Sequence, residues 1–161
     1  MTPLEIERKY LIEYPDIARL ESYSGMTVSE ITQTYLTAPE GEERRVRARR
    51  AGDNVTYYHT VKRRVTAVTR EESETVIAKA EYERLLSEAD PEKRTLHKTR
   101  YCIPYEGLLI EIDIYPFWRD QAIAEVELIS EDAPVTFPSE IKVIREVTGE
   151  KAYKNAELAK K

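Results

Sequence analysis

"EIERKY", residues 5–10, places Glu5, Glu7 and Lys9 at alternate positions, with Ile6 and Arg8 between them. In a β-strand, alternate side chains point to the same face, so two carboxylates and one ammonium would share one surface. The stretch therefore predicts a strand at 4–12 whose charged face is either solvated or a site.

The same period of two recurs along the chain, which has many short alternating runs and few helical ones. The runs predict strands at 4–12, 29–37, 43–50, 54–64, 69–77, 95–105, 108–115 and 122–130. Helical segments are predicted at 16–23, at 78–89, from Ser139 onward and at 150–161. About eight strands with turns every 8–12 residues predict a mainly β protein of the α+β class, a barrel or sandwich with helical additions.

The charged side chains of these strands share one face and are grouped by sign. Acids occur in pairs, one residue apart, on four strands: Glu5 and Glu7, Glu72 and Glu74, Glu111 and Asp113, Glu125 and Glu127. Bases occur in similar pairs on two strands, Arg45 with Arg47 and Lys98 with Arg100, and the same face collects Lys62, Arg70, Arg49 and Arg64. The opposite face is apolar, as Ile6, Val46, Ile112 and Val126 show.

A solvated sheet face would explain alternating charge on any single strand. It does not explain acids in pairs on four separate strands, because neighbouring carboxylates repel each other unless a cation lies between them. Hard divalent ions such as magnesium or manganese (Mg2+ or Mn2+) take oxygen ligands of this kind. The combined pattern therefore favours a metal-binding site over a solvated face.

The chain has 161 residues, of which 41% are hydrophobic and 34% are charged, and its net charge is −5. These values predict one domain, 1–161, with a sizeable core. The sequence contains neither an apolar run near the ~18 residues of a membrane span nor a secretory signal, so we expect a cytoplasmic protein with no membrane partner. A homodimer is left open.

One segment of this acidic chain is strongly basic. Residues 44–70 carry nine Lys or Arg residues and a single acid, Asp53, so this segment is suited to meet an anion. Nucleic acid is not the predicted partner, because the whole protein is acidic and the segment lacks interleaved stacking aromatics apart from Tyr57 and Tyr58.

Cysteine and histidine are scarce. A lone Cys102 excludes an internal disulfide, and with only His59 and His97 beside it a zinc site is disfavoured. By the alternation of its strand, His59 lies on the apolar face, and it is interpreted as a structural residue. Trp118 is interpreted as loop packing, whereas Tyr35 is either a tunnel residue or a simple strand aromatic.

The spaced motifs resemble the CYTH family, also called triphosphate tunnel metalloenzymes, of which "EIERKY" would be the ExExK signature. Further matches follow in the family's order: TQTYL (32–36), RVR (45–47), TVK (60–62), REESE (70–74), KTR (98–100), EIDIY (111–115), AEVEL (124–128) and YKNAEL (153–158). The resemblance covers nearly the whole chain. It implies an eight-stranded antiparallel barrel, closed into a tunnel with the charges inside, helices outside and a C-terminal helix at one end.

By this resemblance the bases bind a small-molecule triphosphate, the predicted binders being Lys9, Arg45, Arg47, Lys62, Arg70, Lys98, Arg100 and Lys154. The resemblance places one divalent ion, Mg2+ or Mn2+, on Glu5, Glu7, Asp113, Glu125 and Glu127. Glu72 and Glu74, together with Lys9, are assigned to catalysis, where the two acids help with a second ion or position water. The role of Glu111 is left open.

The implied activity is metal-dependent hydrolysis of a triphosphate, and inorganic tripolyphosphate is the first candidate substrate. A class IV adenylate cyclase and a thiamine triphosphatase are the alternatives on the same scaffold, and a non-catalytic polyphosphate or nucleotide sensor is the alternative of another class. Cyclases of the family usually carry a His-Phe pair just before ExExK, where this chain has MTPL. The sensor is disfavoured because both the acidic and the basic sets are complete.

Overall fold

The computed structural model describes residues 4–160. Lys161 and residues 1–3 lie outside it, and residues 1–3 belong to the MTPL stretch that was compared with the cyclases. Nine strands account for most of the described chain. They are β1 (Leu4–Glu13), β2 (Thr27–Leu36), β3 (Glu42–Ala51), β4 (Asn54–Arg64), β5 (Thr69–Ile77), β6 (Leu96–Tyr105), β7 (Leu108–Ile114), β8 (Gln121–Glu127) and β9 (Val143–Glu146).

Eight of these strands form a closed antiparallel barrel. Their order is β5-β4-β3-β2-β6-β7-β8-β1, and β1 closes the ring by pairing with β5 through residues 4–6. The rest of β1, from Glu7 onward, pairs with β8. The predicted eight-stranded barrel is confirmed, and closure pairs the two edge strands of the sheet through the first residues of β1.

The helix predicted from Ser139 is wrong. The chain turns at 139–140 and then forms β9, which pairs with β1 at Tyr10, Leu11 and Ile12. Because β5 pairs only with the first residues of β1, the later part of β1 has backbone groups that need another partner. Adjoining segments continue this pairing, since the Val147 amide donates to the Lys9 carbonyl at 2.8 Å.

The helix predicted at 150–161 is broken in two. Lys151–Tyr153 is one 3₁₀ turn, Lys154 is extended (φ −75°, ψ 142°), and α3 covers only Asn155–Leu158. The Tyr153 carbonyl accepts a hydrogen bond from Lys9 Nζ at 3.2 Å, so a side chain of the barrel binds the backbone at the break. This segment lies at one end of the tunnel, as predicted.

Two further helices pack outside the barrel. α1 (Ile17–Glu21) begins after Asp16, whose side chain accepts from the Arg19 amide, and it buries Leu20. α2 (Lys79–Leu85), followed by a 3₁₀ turn at Leu86–Glu88, places Leu85 against the outer faces of β2 and β3. Both helices are shorter than predicted.

The main hydrophobic core lies on the outer face of β1, β6, β7 and β8. Its fully buried residues include Ile12, Leu20, Ile110, Ile112 and Val126, covered by α1 and by the segment around Ile141. The alternation in the sequence explains this core, because every second residue of these strands points away from the tunnel.

A second apolar cluster fills one end of the barrel interior. Its buried members are Leu11, Tyr35, Leu96, Tyr115, Ile123, Val147 and Ala159. Trp118 packs edge-on against Tyr115, with ring centroids 5.4 Å apart, which agrees with its interpretation as loop packing. The charged part of the tunnel therefore ends on an apolar floor.

The longest α-helix in the described chain has seven residues, and none of its helices is long and apolar enough to cross a lipid bilayer.

The outer core can be tested separately from the tunnel. Ile112→Ala should lower the free energy of unfolding by about 2–5 kcal/mol, because it leaves a cavity in the fully buried cluster. Urea unfolding measures the loss, and triphosphate binding by the folded protein should not change. Ile129, which is 96% exposed, is the control, and Ile129→Ala should stay within about 0.5 kcal/mol. Equal effects of the two substitutions would contradict this account of the core.

Candidate active site

The interior of the barrel holds a charged cavity of about 160 Å³. Seventeen of the described residues line it, and all but Tyr35 and Asn155 are charged. Eight are acids: Glu5, Glu7, Glu43, Glu72, Glu74, Glu111, Glu125 and Glu127. Seven are bases: Lys9, Arg45, Arg47, Lys62, Arg70, Arg100 and Lys154.

Most of the bases are held by acids on other strands of the barrel. Lys62 Nζ lies 2.9 Å from Glu5 and 3.6 Å from Glu72, and Arg47 lies 2.7 Å from Glu74. On the other side of the cavity the Lys9 ammonium lies 3.5 Å from the Glu125 carboxylate. Arg70 lies 3.6 Å from Glu7. These pairs compensate charges that are largely removed from water.

Arg45 and Arg47 retain free donors. The Nε atom of each is buried and has no hydrogen-bond partner among residues 4–160. Burial, together with the charges of Arg45 and Arg100, lowers the pKa of Arg47 to about 10. Buried donors without acceptors are unfavourable, so these two side chains are suited to bind an anion.

One wall of the cavity gathers acids without enough bases. In the pairing of the strands Glu7 lies opposite Glu127, and Glu111 lies opposite Glu125, so like charges face each other twice. Burial, together with the charges of Glu125 and Glu5, raises the pKa of Glu7 to about 8. Like charges in direct opposition destabilise a sheet unless a cation lies between them.

The oxygen donors of this wall fit a hard divalent cation in number and kind. Among residues 4–160, however, no three acids converge closely enough to hold a metal ion as they stand. Two of these carboxylates are paired with lysines, Glu5 with Lys62 and Glu125 with Lys9.

A family model for the CYTH domain matches residues 3–159. The chain belongs to the CYTH family. Its relatives include an inorganic triphosphatase of Nitrosomonas europaea, 33% identical over 159 residues, which cover 96% of each chain. An inorganic triphosphatase of Acetivibrio thermocellus is 32% identical over 160 residues, which cover 97% of this chain and 93% of the relative.

The fold agrees with these relatives. A crystal structure of an inorganic triphosphatase is 32% identical to this CYTH domain and superposes with a TM-score of 0.56. The match covers 99% of this chain and 95% of that one.

The structure of this CYTH domain brings all but two of the predicted site residues to the cavity wall. The two exceptions are Lys98 and Asp113, which lie beyond the wall and bind each other at 2.8 Å. Arg100 holds both oxygens of Asp113, through Nε at 2.7 Å and through the second terminal nitrogen at 2.9 Å. Burial alone would raise the pKa of Asp113, but the charges of Arg100 and Lys98 lower this pKa to about 2.

This arrangement places both residues outside the cavity wall, so the metal role of Asp113 and the substrate role of Lys98 stay predictions. Lys98 and Asp113 are about 1% exposed in their side chains, and the carboxylate already has three basic contacts. Burial is the main reason that the pKa of Lys98 falls to about 8. The geometry is that of a buried support for Arg100, which does line the cavity.

Sequence reasoning left several lining residues without a role. Glu111 lines the cavity where Asp113 was expected, although the two share one face by the alternation of β7. Tyr35 also lines it, and its hydroxyl oxygen accepts from Gln33 Nε2 at 2.9 Å. Glu43 and Asn155 complete the wall. The alternation of side chains along β7 is enough to predict Glu111 on the tunnel face. The position of Asn155 at the cavity depends on the break in the C-terminal segment, which the sequence pattern does not predict.

The cysteine and the histidines lie apart from the central cavity. His59 is on the outer face beneath α2, in agreement with its assigned parity, and His97 Nδ1 lies 3.2 Å from Thr32 Oγ1. Cys102 is a buried free thiol at the wall of a wider mouth of about 420 Å³. That mouth shares Arg47, Glu74, Arg100 and Glu111 with the central cavity, so the two spaces adjoin.

The crowding of the acids predicts a stability effect. Glu7→Gln should raise the melting temperature of the metal-free protein by a few degrees at neutral pH. The crowded carboxyl, whose pKa is raised to about 8, is ionised in the unfolded chain and must take up a proton on folding, whereas the amide need not. The same change should weaken Mn2+ binding, measured by calorimetry, by more than the roughly tenfold loss typical of an outer-shell partner. Glu13→Gln, at the exposed end of β1, is the control. A lower melting temperature for Glu7→Gln would contradict the crowding.

The Lys98–Asp113 pair makes a separate prediction. Lys98→Met should lower the free energy of unfolding by about 3 kcal/mol, because it removes one partner of a buried ion pair. Urea unfolding measures the loss, with Lys79→Met on the exposed surface as the control. Normal stability combined with a collapse of triphosphate binding would instead assign Lys98 to the substrate.

Proposed function

We propose that this CYTH domain hydrolyses inorganic tripolyphosphate to pyrophosphate and orthophosphate with the help of a divalent cation. The observation that carries the proposal is the convergence of seven basic and eight acidic side chains on one cavity inside the barrel. The named activity of two relatives at 32–33% identity supports it.

The bases would bind the polyanion along its length. Lys9, Arg45, Arg47, Lys62, Arg70, Arg100 and Lys154 reach the cavity from five strands and from the C-terminal segment. A linear triphosphate carries up to about five charges, which suits donors arranged along a tunnel. Asp113 and Lys98 would hold Arg100 in place from behind.

The acids of the opposite wall would hold the cation. Glu5, Glu7, Glu125 and Glu127 are the proposed ligands, with Glu111 in the place that Asp113 was predicted to take. When bound, Mg2+ or Mn2+ would supply positive charge to the phosphoryl oxygens. The transfer of Lys9 and Lys62 from carboxylates to phosphate would couple the binding of the anion to the freeing of these ligands.

Hydrolysis needs a positioned water but no side-chain nucleophile. Glu74 accepts hydrogen bonds from Arg47 and from Thr60 Oγ1, and Glu72 lies beside Lys62. Either carboxylate could accept the proton of a water that attacks a terminal phosphorus. The new P–O bond forms as the bond to the leaving pyrophosphate breaks, and Lys9 would stabilise the negative charge on the phosphates.

The wider mouth is the feature that favours a second candidate, an organic triphosphate such as ATP or thiamine triphosphate. Tyr58 and Leu109 line it beside Arg49, and the Arg47 guanidinium lies 5.3 Å from the centre of the Tyr58 ring. A ring attached to the triphosphate could occupy this space. Inorganic triphosphate remains the first candidate substrate, because the central cavity itself is lined almost wholly by charged groups.

A substrate panel tests the proposal. Inorganic triphosphate, thiamine triphosphate, ATP and pyrophosphate are each supplied with Mg2+ or Mn2+, and phosphate, pyrophosphate and cyclic AMP are measured. Inorganic triphosphate should be hydrolysed fastest, and pyrophosphate poorly, since pyrophosphate reaches fewer bases. Glu125→Gln should lose at least about a hundredfold in kcat while keeping its fold, because an amide is a poor ligand for a hard cation.

Each alternative has its own outcome in the panel. Cyclic AMP formed as fast as phosphate would place the cyclase first, and faster hydrolysis of thiamine triphosphate would place that substrate first. Tight binding of triphosphate without any product would establish the sensor. Near-normal turnover by Glu125→Gln would remove the proposed cation site.

A further inference from the structure

The last residue of β4, Arg64, has an unusual neighbour. It pairs in register with Arg70 of β5, and within the nine strands this is the one pair of bases that face each other. Like charges in direct opposition destabilise a sheet. The acid pairs of the opposite wall fit a cation, and by the same reasoning this pair of arginines fits an anion.

Among the described residues, Arg64 differs from its basic neighbours because no acidic side chain forms an ion pair with it. The ion pairs of β4 and β5 join Lys62 to Glu5 and Glu72, Arg63 to Glu71, and Arg70 to Glu7. In the described part of the chain they leave Arg64 exposed and without a carboxylate. Its position in β4 places it on the tunnel face with Lys62, at the rim rather than in the cavity wall.

The C-terminal segment brings a third base to this rim. Lys154 lines the central cavity, and burial followed by the charges of Arg64 and Arg70 lowers its pKa. The turn between β4 and β5 packs on the same segment, since a Cβ at Gly149 would lie 3.4 Å from Ala67 Cβ. Ala67 and Val68 of this turn also line a small space with Lys154, so the turn that follows β4 lies beside it.

We propose that Arg64, together with Lys154, recruits the anionic substrate at this rim and hands it to the bases of the tunnel. The inference rests on the proposed function for the identity of the anion. Charge at the mouth of a cleft attracts an oppositely charged ligand and raises its rate of association. Arg64 therefore acts on capture of the triphosphate, and it takes no part in the hydrolytic step.

Adjacent residues of β4 provide a matched pair of variants. Arg64→Gln removes one charge from the tunnel rim, and Arg63→Gln removes the same charge one residue away on the outer face. Arg63 is 59% exposed in its side chain and is bound to Glu71 at 2.6 Å. The two variants therefore have the same net charge and differ in the face that loses it.

The first measurement is the dependence of turnover on ionic strength, with inorganic triphosphate as the probe. At low salt Arg64→Gln should lower kcat/KM by about 3–10-fold with kcat unchanged, whereas Arg63→Gln should match the wild type. The difference should vanish toward about 1 M salt, where the screening length falls to about 3 Å.

Calorimetry of inorganic triphosphate binding, in a chelator and without divalent metal, gives a readout that does not need catalysis. Arg64→Gln should bind more weakly than Arg63→Gln at low salt, and the two should converge at high salt. If the wild type binds triphosphate but releases no phosphate, the proposed function fails and the binding comparison alone decides the role of Arg64. Equal kcat/KM and equal affinity for the two variants, or no binding by the wild type, would overturn the proposal.

Discussion

The structure depends on the mutual compensation of charges that are enclosed by a β-barrel. Fifteen charged side chains share one cavity, and removing so many charges from water is costly unless each has partners of opposite sign. The closed barrel supplies those partners. The register of β4 and β5 sets Lys62 opposite Glu72, and across the interior Lys62 reaches Glu5 and Arg47 reaches Glu74. The compensation is incomplete at the acid wall and at the basic rim, and these are the two places where ligands are proposed to bind.

Stability and function are assigned to opposite faces of the same strands. The outer faces of β1, β6, β7 and β8 bury a continuous apolar cluster, which favours folding. The inner faces carry like charges in opposition, such as Glu7 and Glu127, which disfavour it. A closed barrel tolerates the inner face because its backbone hydrogen bonds and outer core hold the strands together.

The two ends of the tunnel differ in chemistry. Near the C-terminal segment the charged cavity ends on an apolar floor that includes Tyr35, Leu96 and Tyr115, and the hydroxyl of Tyr115 donates to Asn155. At the other end the cavity opens into a wider mouth with Tyr58 and Leu109 in its wall. The floor is built from residues of β1, β2, β6 and β8, whereas the basic rim at the same end lies on β4 and β5. The wider mouth leaves room beyond the arginines.

Sequence alone determined which residues share the inner face of the barrel, because the side-chain period of a strand is two and each motif alternates acids or bases with apolar residues. It could not determine depth along the tunnel. Glu111 and Asp113 have the same parity, yet only Glu111 lines the cavity, because the stagger of β6 and β7 places Asp113 beside Arg100 and Lys98. Tertiary structure also decided the tail, where the open edge of β1 pairs with β9 in place of the helix predicted from Ser139. The local sequence pattern determines which face of a strand a side chain lies on. Pairing between strands that are distant in the sequence determines how deep in the tunnel the side chain lies and which residue it contacts.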